Sequence, residues 1–215
     1  MCVVLKVGPR PVRTAAARRR PRLPVNRHAI TPALFFLSWT LTQGPILAFA
    51  PLLAVDRDLG NPGLFFAVLN FGNTIVRPAS GWAIDRWGRP VIILPGLLIS
   101  AVSIALIGLS HEQAPFLLWG FVYGLANGMI YTALIALAMD RAPVSERGSA
   151  IATFQWGWDM GSSASAFLLG AATGALGYGG IFVLSAVCPV VGTALFTWAW
   201  RSGRLYIPAR PVALE

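Results

Sequence analysis

Six apolar stretches alternate with short polar turns along the chain. They run from about Ile30 to Val55, Leu64 to Ala83, Val91 to Ser110, Pro115 to Met139, Ser149 to Thr173 and Ile181 to Trp200. A run of ~20 apolar residues is long enough to cross a bilayer as one helix. The pattern therefore predicts an all-α polytopic membrane protein with six transmembrane helices over residues 30–200. Residues 1–29 read as a basic cytoplasmic linker or disordered tail, and residues 201–215 as a cytoplasmic tail. The turns are Asp56–Gly63 (DRDLGNPG), Gly81–Pro90 (GWAIDRWGRP), His111-Glu112-Gln113, Asp140–Gly148 (DRAPVSERG) and the uncharged Gly174–Gly180. Turns this short favour antiparallel neighbours.

Departures from the apolar pattern carry the next layer. Gln43-Gly44-Pro45 interrupts the first span, and Pro45 removes a backbone hydrogen bond, so a kink is expected there. In the fourth span Gly120, Gly124 and Gly128 recur every four residues. They line one helix face and predict close approach of a neighbouring helix. Polar side chains fall at depth in spans one, two, four and five: Gln43; Asn70, Asn73 and Thr74; Asn127 and Tyr131; Gln155, Asp159, Ser162 and Ser163. Spans three and six carry almost none. Lipid tolerates an apolar helix on most faces, whereas polar residues must meet protein or water. Spans three and six are thus expected on the outside, with the other four bordering a cavity or a partner.

Composition agrees and excludes a soluble domain. Hydrophobic residues make up 56% of the chain, charged residues 12%, and the mean hydropathy is +0.66. The charged share is about half that of a globular protein. A net charge of +9 raises the possibility of nucleic-acid binding, but its placement argues against it. Eight basic residues, from Lys6 to Arg27, precede the first span with no acid among them. Of the 17 Lys and Arg only Arg57 falls on the other side, which is the positive-inside pattern. Both termini are then cytoplasmic, in the plasma (inner) membrane if the protein is bacterial. Residues 1–29 are Arg- and Ala-rich like a transit peptide, yet Pro9, Pro11, Pro21 and Pro24 would break its amphipathic helix. Cys2 in the tail and Cys188 in the last span predict no disulfide.

Three motifs converge. Gly81 to Arg89 reads Gly-x-x-x-Asp-Arg-x-Gly-Arg. Asp140 to Gly148 reads Asp-Arg-x-Pro-x-x-x-Arg-Gly, and Asp159 with Gly161 forms Asp-x-Gly inside the fifth span. Together with the topology they resemble the C-terminal six-helix half of a major facilitator superfamily transporter, over about residues 30–200. Residues 1–29 look like the linker that precedes this half, and the texture of Tyr123 to Gly174 resembles bacterial drug or sugar efflux permeases. Pro90 departs from the family pattern, standing where a second basic residue is usual. The resemblance implies alternating access between two halves, with Gly81, Asp85, Arg86, Gly88 and Arg89 as a cytoplasmic latch. In physical terms Gly81 permits tight helix contact and Gly88 a bend. Asp85 can accept hydrogen bonds from Arg86, Arg89 or a helix N-terminus. A topogenic basic turn is the plainer alternative. Arg77, placed at the cytoplasmic end of span two, and Asp140, Arg141, Glu146 and Arg147 could extend the charge network.

Asp159 is the one acid inside a span, about 16 Å from the cytoplasmic end at 1.5 Å per residue. A charge there costs ~2.5–3.5 kcal/mol on insertion scales. Either Asp159 couples substrate to proton movement, or it fixes packing beside Gly157 and Gly161. Gln43, Asn73, Asn127, Tyr131 and Gln155 are candidates to line a substrate path. Trp156 and Trp158 could pack on apolar or cationic substrates. So few charges at depth favour a neutral or amphipathic small molecule over a highly charged one. An enzyme is not expected: His28 and His111 form no metal cluster, Asp159 has no second intramembrane acid, and no phosphate-binding loop of P-loop type occurs. No cofactor and no metal are called for. The partners expected are the lipid bilayer, a small solute, and either a missing N-terminal six-helix half or a second copy. The competing function is a non-transporting half: a subunit of a split transporter, or a truncated remnant acting only through assembly.

Overall fold

The computed structural model describes residues 36–37 and 39–202. The basic tail, Cys2, His28, the start of the first span and residues 203–215 lie outside the described residues. Among the described residues there is no strand, and the six expected segments appear as helical segments in chain order. These are α1 (Pro45–Asp56), α2 (Pro62–Trp87), α3 (Pro90–Leu109), α4 (Gln113–Arg141), α5 (Arg147–Ala171) and α6 (Thr173–Arg201). By length and apolarity α3, α4 (to Asp140) and α6 are each able to cross a membrane. The polar positions expected in α2 and α5 lower their apolarity, although their 26 and 25 residues give comparable length.

Local chemistry sets the ends. Asn61 caps α2, its side chain accepting from the Gly63 N–H at 2.7 Å, with Pro62 at the first helical position. Gly88 closes α2 with φ +85°, a conformation that needs no Cβ. This is the bend the sequence leads one to expect. Pro90 opens α3 where its missing N–H has no intrahelical duty. In the first segment residues 41–42 form a turn, and Pro45–Phe49 winds as a π-helix before the α-helical Ala50–Asp56. The expected interruption at Gln43-Gly44-Pro45 is therefore present, as a widened turn rather than a simple kink. The expected turn at Gly174–Gly180 is mostly helical instead. Within it Gly177, at φ +65°, breaks the winding of α6, which is interrupted again by a turn at Ala186.

The largest contact in the bundle is between α2 and α4. The glycine stripe makes it. A Cβ on Gly120 would strike the Phe65 ring, on Gly124 the Leu69 carbonyl oxygen, and on Gly128 Val76 and the Asn73 carbonyl. Gly72 answers from α2, where a Cβ would lie 2.6 Å from the Phe121 carbonyl oxygen. The matched order of these contacts shows that α2 and α4 run parallel. α4 also packs on α3, and α3 on α6, so α3 lies between two neighbours rather than on the outside of this bundle as expected, and α5 is, for its length, the least closely packed helix. The exposed large side chains of α3 and α6, such as Leu98, Val102, Val190 and Leu195, are apolar, as a lipid-facing surface requires. Arg57, the basic residue set apart from the other Lys and Arg, donates to the carbonyls of Gly108 (2.8 Å) and Ser110 (2.7 Å) and ties the α1–α2 turn to the end of α3.

Candidate functional site

Two groups of polar residues stand out: one at the charged end of the bundle and one at mid-helix on its open face. At the charged end Arg89 forms an ion pair with Asp140. The Arg89 side chain is 7% exposed and that of Asp140 26%. Burial lowers the guanidinium pKa from its ordinary value, and the charge of Asp85 opposes that shift. The Arg89 pairing expected inside the signature loop thus forms with the last turn of α4: Asp140 acts by contact and Asp85, in the last turn of α2, through its field. Arg86 instead lies over the Trp82 ring, 5.6 Å from its centroid, and Trp82 packs edge-on against Trp87. Glu146 and Arg147 are exposed at the start of α5. Arg141 ends α4, and its side chain lies outside the described part of the structure. Gly81 corrects an expectation: a Cβ there would meet nothing within 4 Å among the described residues. No tight helix contact forms at Gly81 among the described residues.

Arg77 lies elsewhere than expected. α2 continues to Trp87, which places Arg77 about 15 Å from the helix end at 1.5 Å per residue. Its Nε donates to Asn73 Oδ1 at 3.2 Å, and its guanidinium carbon sits 5.2 Å from the Tyr131 ring centroid. Tyr131 in turn meets Phe154 and Trp158 of α5 edge-on, at 5.8 and 6.5 Å between centroids. Arg77 belongs with the path candidates rather than with Asp140. Asn70 and Thr74 share its exposed face of α2. On α5 the exposed residues include Gln155, Asp159 and Ser163, spaced one turn apart. Asp159 lies about 18 Å from the start of α5, close to the depth of Arg77, and its carboxylate has no hydrogen bond or ion pair among the described residues. Gln43 and Asn127 are packed inside instead, 3% and 4% exposed. Gln43 Nε2 lacks a hydrogen-bond partner among the described residues.

Sequence reasoning missed the aromatic wall behind this face. Phe36 stacks on Phe154 at 3.9 Å and contacts Trp39 and Trp158. It also missed Thr42 and Tyr123, whose hydroxyls lie 2.5 Å apart in the core. Thr42 and Tyr123 look like ordinary span residues, and nothing in their spacing pairs them across 81 positions. Among the described residues no group of His, Cys, Asp and Glu could hold a metal ion.

The fold and its polar open face define an all-α integral membrane protein. The family model of the Major Facilitator Superfamily matches residues 10–211, and the chain belongs to that superfamily. It is a transporter-family protein, not an enzyme family member. It is 28% identical over 131 residues to the cis,cis-muconate transport protein of Acinetobacter baylyi, covering 58% of this chain and 32% of that one. It is 25% identical over 145 residues to the quinolone resistance protein NorA of Staphylococcus aureus, covering 66% and 36%. An uncharacterised transporter of the same type from Salmonella typhimurium is 23% identical over 82% of this chain and 46% of its own. The chain thus spans between a third and a half of the length of these relatives. Among solved structures, an auto-inhibited peptide transporter of the POT family aligns with a TM-score of 0.70 at 16% identity, covering 88% of this chain and 40% of that one. A second POT transporter, PepTSo, aligns at 0.60 and 21% identity over 87% and 38%. These two show the fold alone.

Proposed function

We propose that the chain is the C-terminal six-helix half of a secondary transporter that moves a small solute by alternating access. The observation that carries this reading is the distribution of polar side chains. α2 and α5 expose Asn70, Thr74, Arg77, Gln155, Asp159 and Ser163, whereas the large exposed residues of α3 and α6 are apolar. Polar groups at depth must meet water or protein, so this face borders a solute path completed by an opposite wall. Coverage of between a third and a half of each relative supports a missing half as that wall; a second copy is the alternative. The Arg89–Asp140 pair suits a cytoplasmic latch, made and broken as the halves rock. Export is favoured by the likeness to the quinolone resistance protein. The placement of basic residues supports cytoplasmic termini.

Asp159 is the proposed proton carrier: an acid at depth, exposed on the path face and unpaired among the described residues. The packing alternative fits less well. Gly157 and Gly161 are buried, Gly157 against Thr40 and Gly161 against Thr40 and Leu37, whereas Asp159 is exposed. Asp159→Asn is expected to abolish proton-driven flux in proteoliposomes while leaving membrane insertion and thermal unfolding unchanged. Flux that follows an imposed pH gradient as in the parent would overturn the coupling role.

A further inference from the structure

Among the described residues Arg77 is the one basic residue more than two turns from either end of its helix. A cation at that depth needs an anion or a polar partner. Its Nε is taken by Asn73 and one face of its plane by Tyr131. Nη1 and Nη2 have no hydrogen bond or ion pair among the described residues, and the side chain is exposed on the open face. Asn73 and Tyr131 thereby hold the fork in place and leave its two-donor edge free. That edge matches the two oxygens of a carboxylate in geometry as well as charge. We propose that Arg77, oriented by Asn73 and Tyr131, binds the carboxylate of a small monoanion whose apolar body lies against the half-buried rings of Tyr131 and Trp158.

One charge rather than two follows from the surroundings. Asp159, at nearly the same depth on α5, would repel a second carboxylate. Tyr131 and Trp158 are half-buried and Trp156 is exposed on α5, so flat apolar area lies beside the Arg77 fork with no second cation among the described residues at that depth. This narrows the expectation of a neutral or amphipathic solute, which counted Arg77 among the groups at the cytoplasmic end, to an amphipathic anion.

The inference rests on reading the α2–α5 face as the solute path, so binding and transport are measured apart. The full-length protein in lipid nanodiscs is titrated with benzoate and with benzamide, its neutral isostere, using tryptophan fluorescence; Trp158 is a reporter beside Tyr131. Benzoate is expected to bind at least tenfold tighter than benzamide. Arg77→Gln should reduce that preference to less than twofold, and Arg77→Lys, which keeps the charge but not the fork, should restore part of it. Equal binding of the two probes, an unchanged preference in Arg77→Gln, or no saturable binding of either by protein that elutes as a folded species would overturn the proposal. Counterflow in proteoliposomes scores the path reading separately. Benzoate preference without counterflow leaves the anion site standing and removes transport. Benzamide counterflow with no benzoate preference removes the anion site and leaves transport.

Discussion

The Thr42–Tyr123 pair shows how unequal two partners in one hydrogen bond can be. The Thr42 hydroxyl donates to the Trp39 carbonyl at 2.8 Å, so its proton is committed. The Tyr123 hydroxyl, fully buried, must then be the donor between them. Tyr123→Phe removes one interhelical bond and leaves Thr42 satisfied, for a loss of about 1 kcal/mol or less. Thr42→Val leaves the tyrosine proton without an acceptor in the core, which costs about 1–3 kcal/mol. Thermal unfolding in detergent should rank Thr42→Val well below Tyr123→Phe. The reverse order would mean that the phenol is not the donor. The same accounting applies to Arg89, which would lose its ion-pair partner if Asp140 were neutralised.

Among the elements, the α2–α4 interface decides the architecture. Parallel helices meet there with backbone against backbone, because Gly120, Gly124, Gly128 and Gly72 carry no side chain. Small residues drive such contacts in a bilayer, where no hydrophobic force pulls helices together. Gly124→Val should separate α2 from α4, since the neighbour is the Leu69 backbone and cannot yield as a flexible side chain would. Overpacking of this kind costs about 1–3 kcal/mol or more. Gly148→Ala, where a Cβ meets nothing within 4 Å, is the control and should leave the melting temperature unchanged or slightly raised. Equal melting temperatures for the two variants would remove the stripe as a packing device.

For the molecule as a whole, the open features share a direction. Gly81 has room for a side chain that the bundle does not fill, and the polar face of α2 and α5 has no cover among the described residues. Both fit an opposite wall. Gly81→Ala should leave thermal unfolding of this bundle unchanged or slightly raised, because alanine favours helix by about 0.5–1 kcal/mol over glycine. It should at the same time lower solute flux at least tenfold, if Gly81 seats against the other half during rocking. Parental flux in a stable Gly81→Ala protein would show that no close contact forms there.

Much was legible in the sequence by itself, for reasons that are local. The apolar runs, the prolines at helix starts, Gly88 at its positive φ and the four-residue glycine spacing each act within a turn or two of chain. They determined an all-α bundle, its breaks and a close-packing face. Membership in the superfamily was legible too, because the loop motifs are contiguous. What tertiary structure alone decided were pairings between distant segments. Arg89 chose Asp140 over its neighbours once α3 and α4 had packed. Arg77 joined Asn73 and Tyr131 because α2 ran on to Trp87 and the stripe set the register between α2 and α4. Gln43 and Asn127 went inside while Gln155 and Asp159 stayed on the open face. Hydropathy records that a side chain is polar; only the packing of neighbouring helices determines which way it faces.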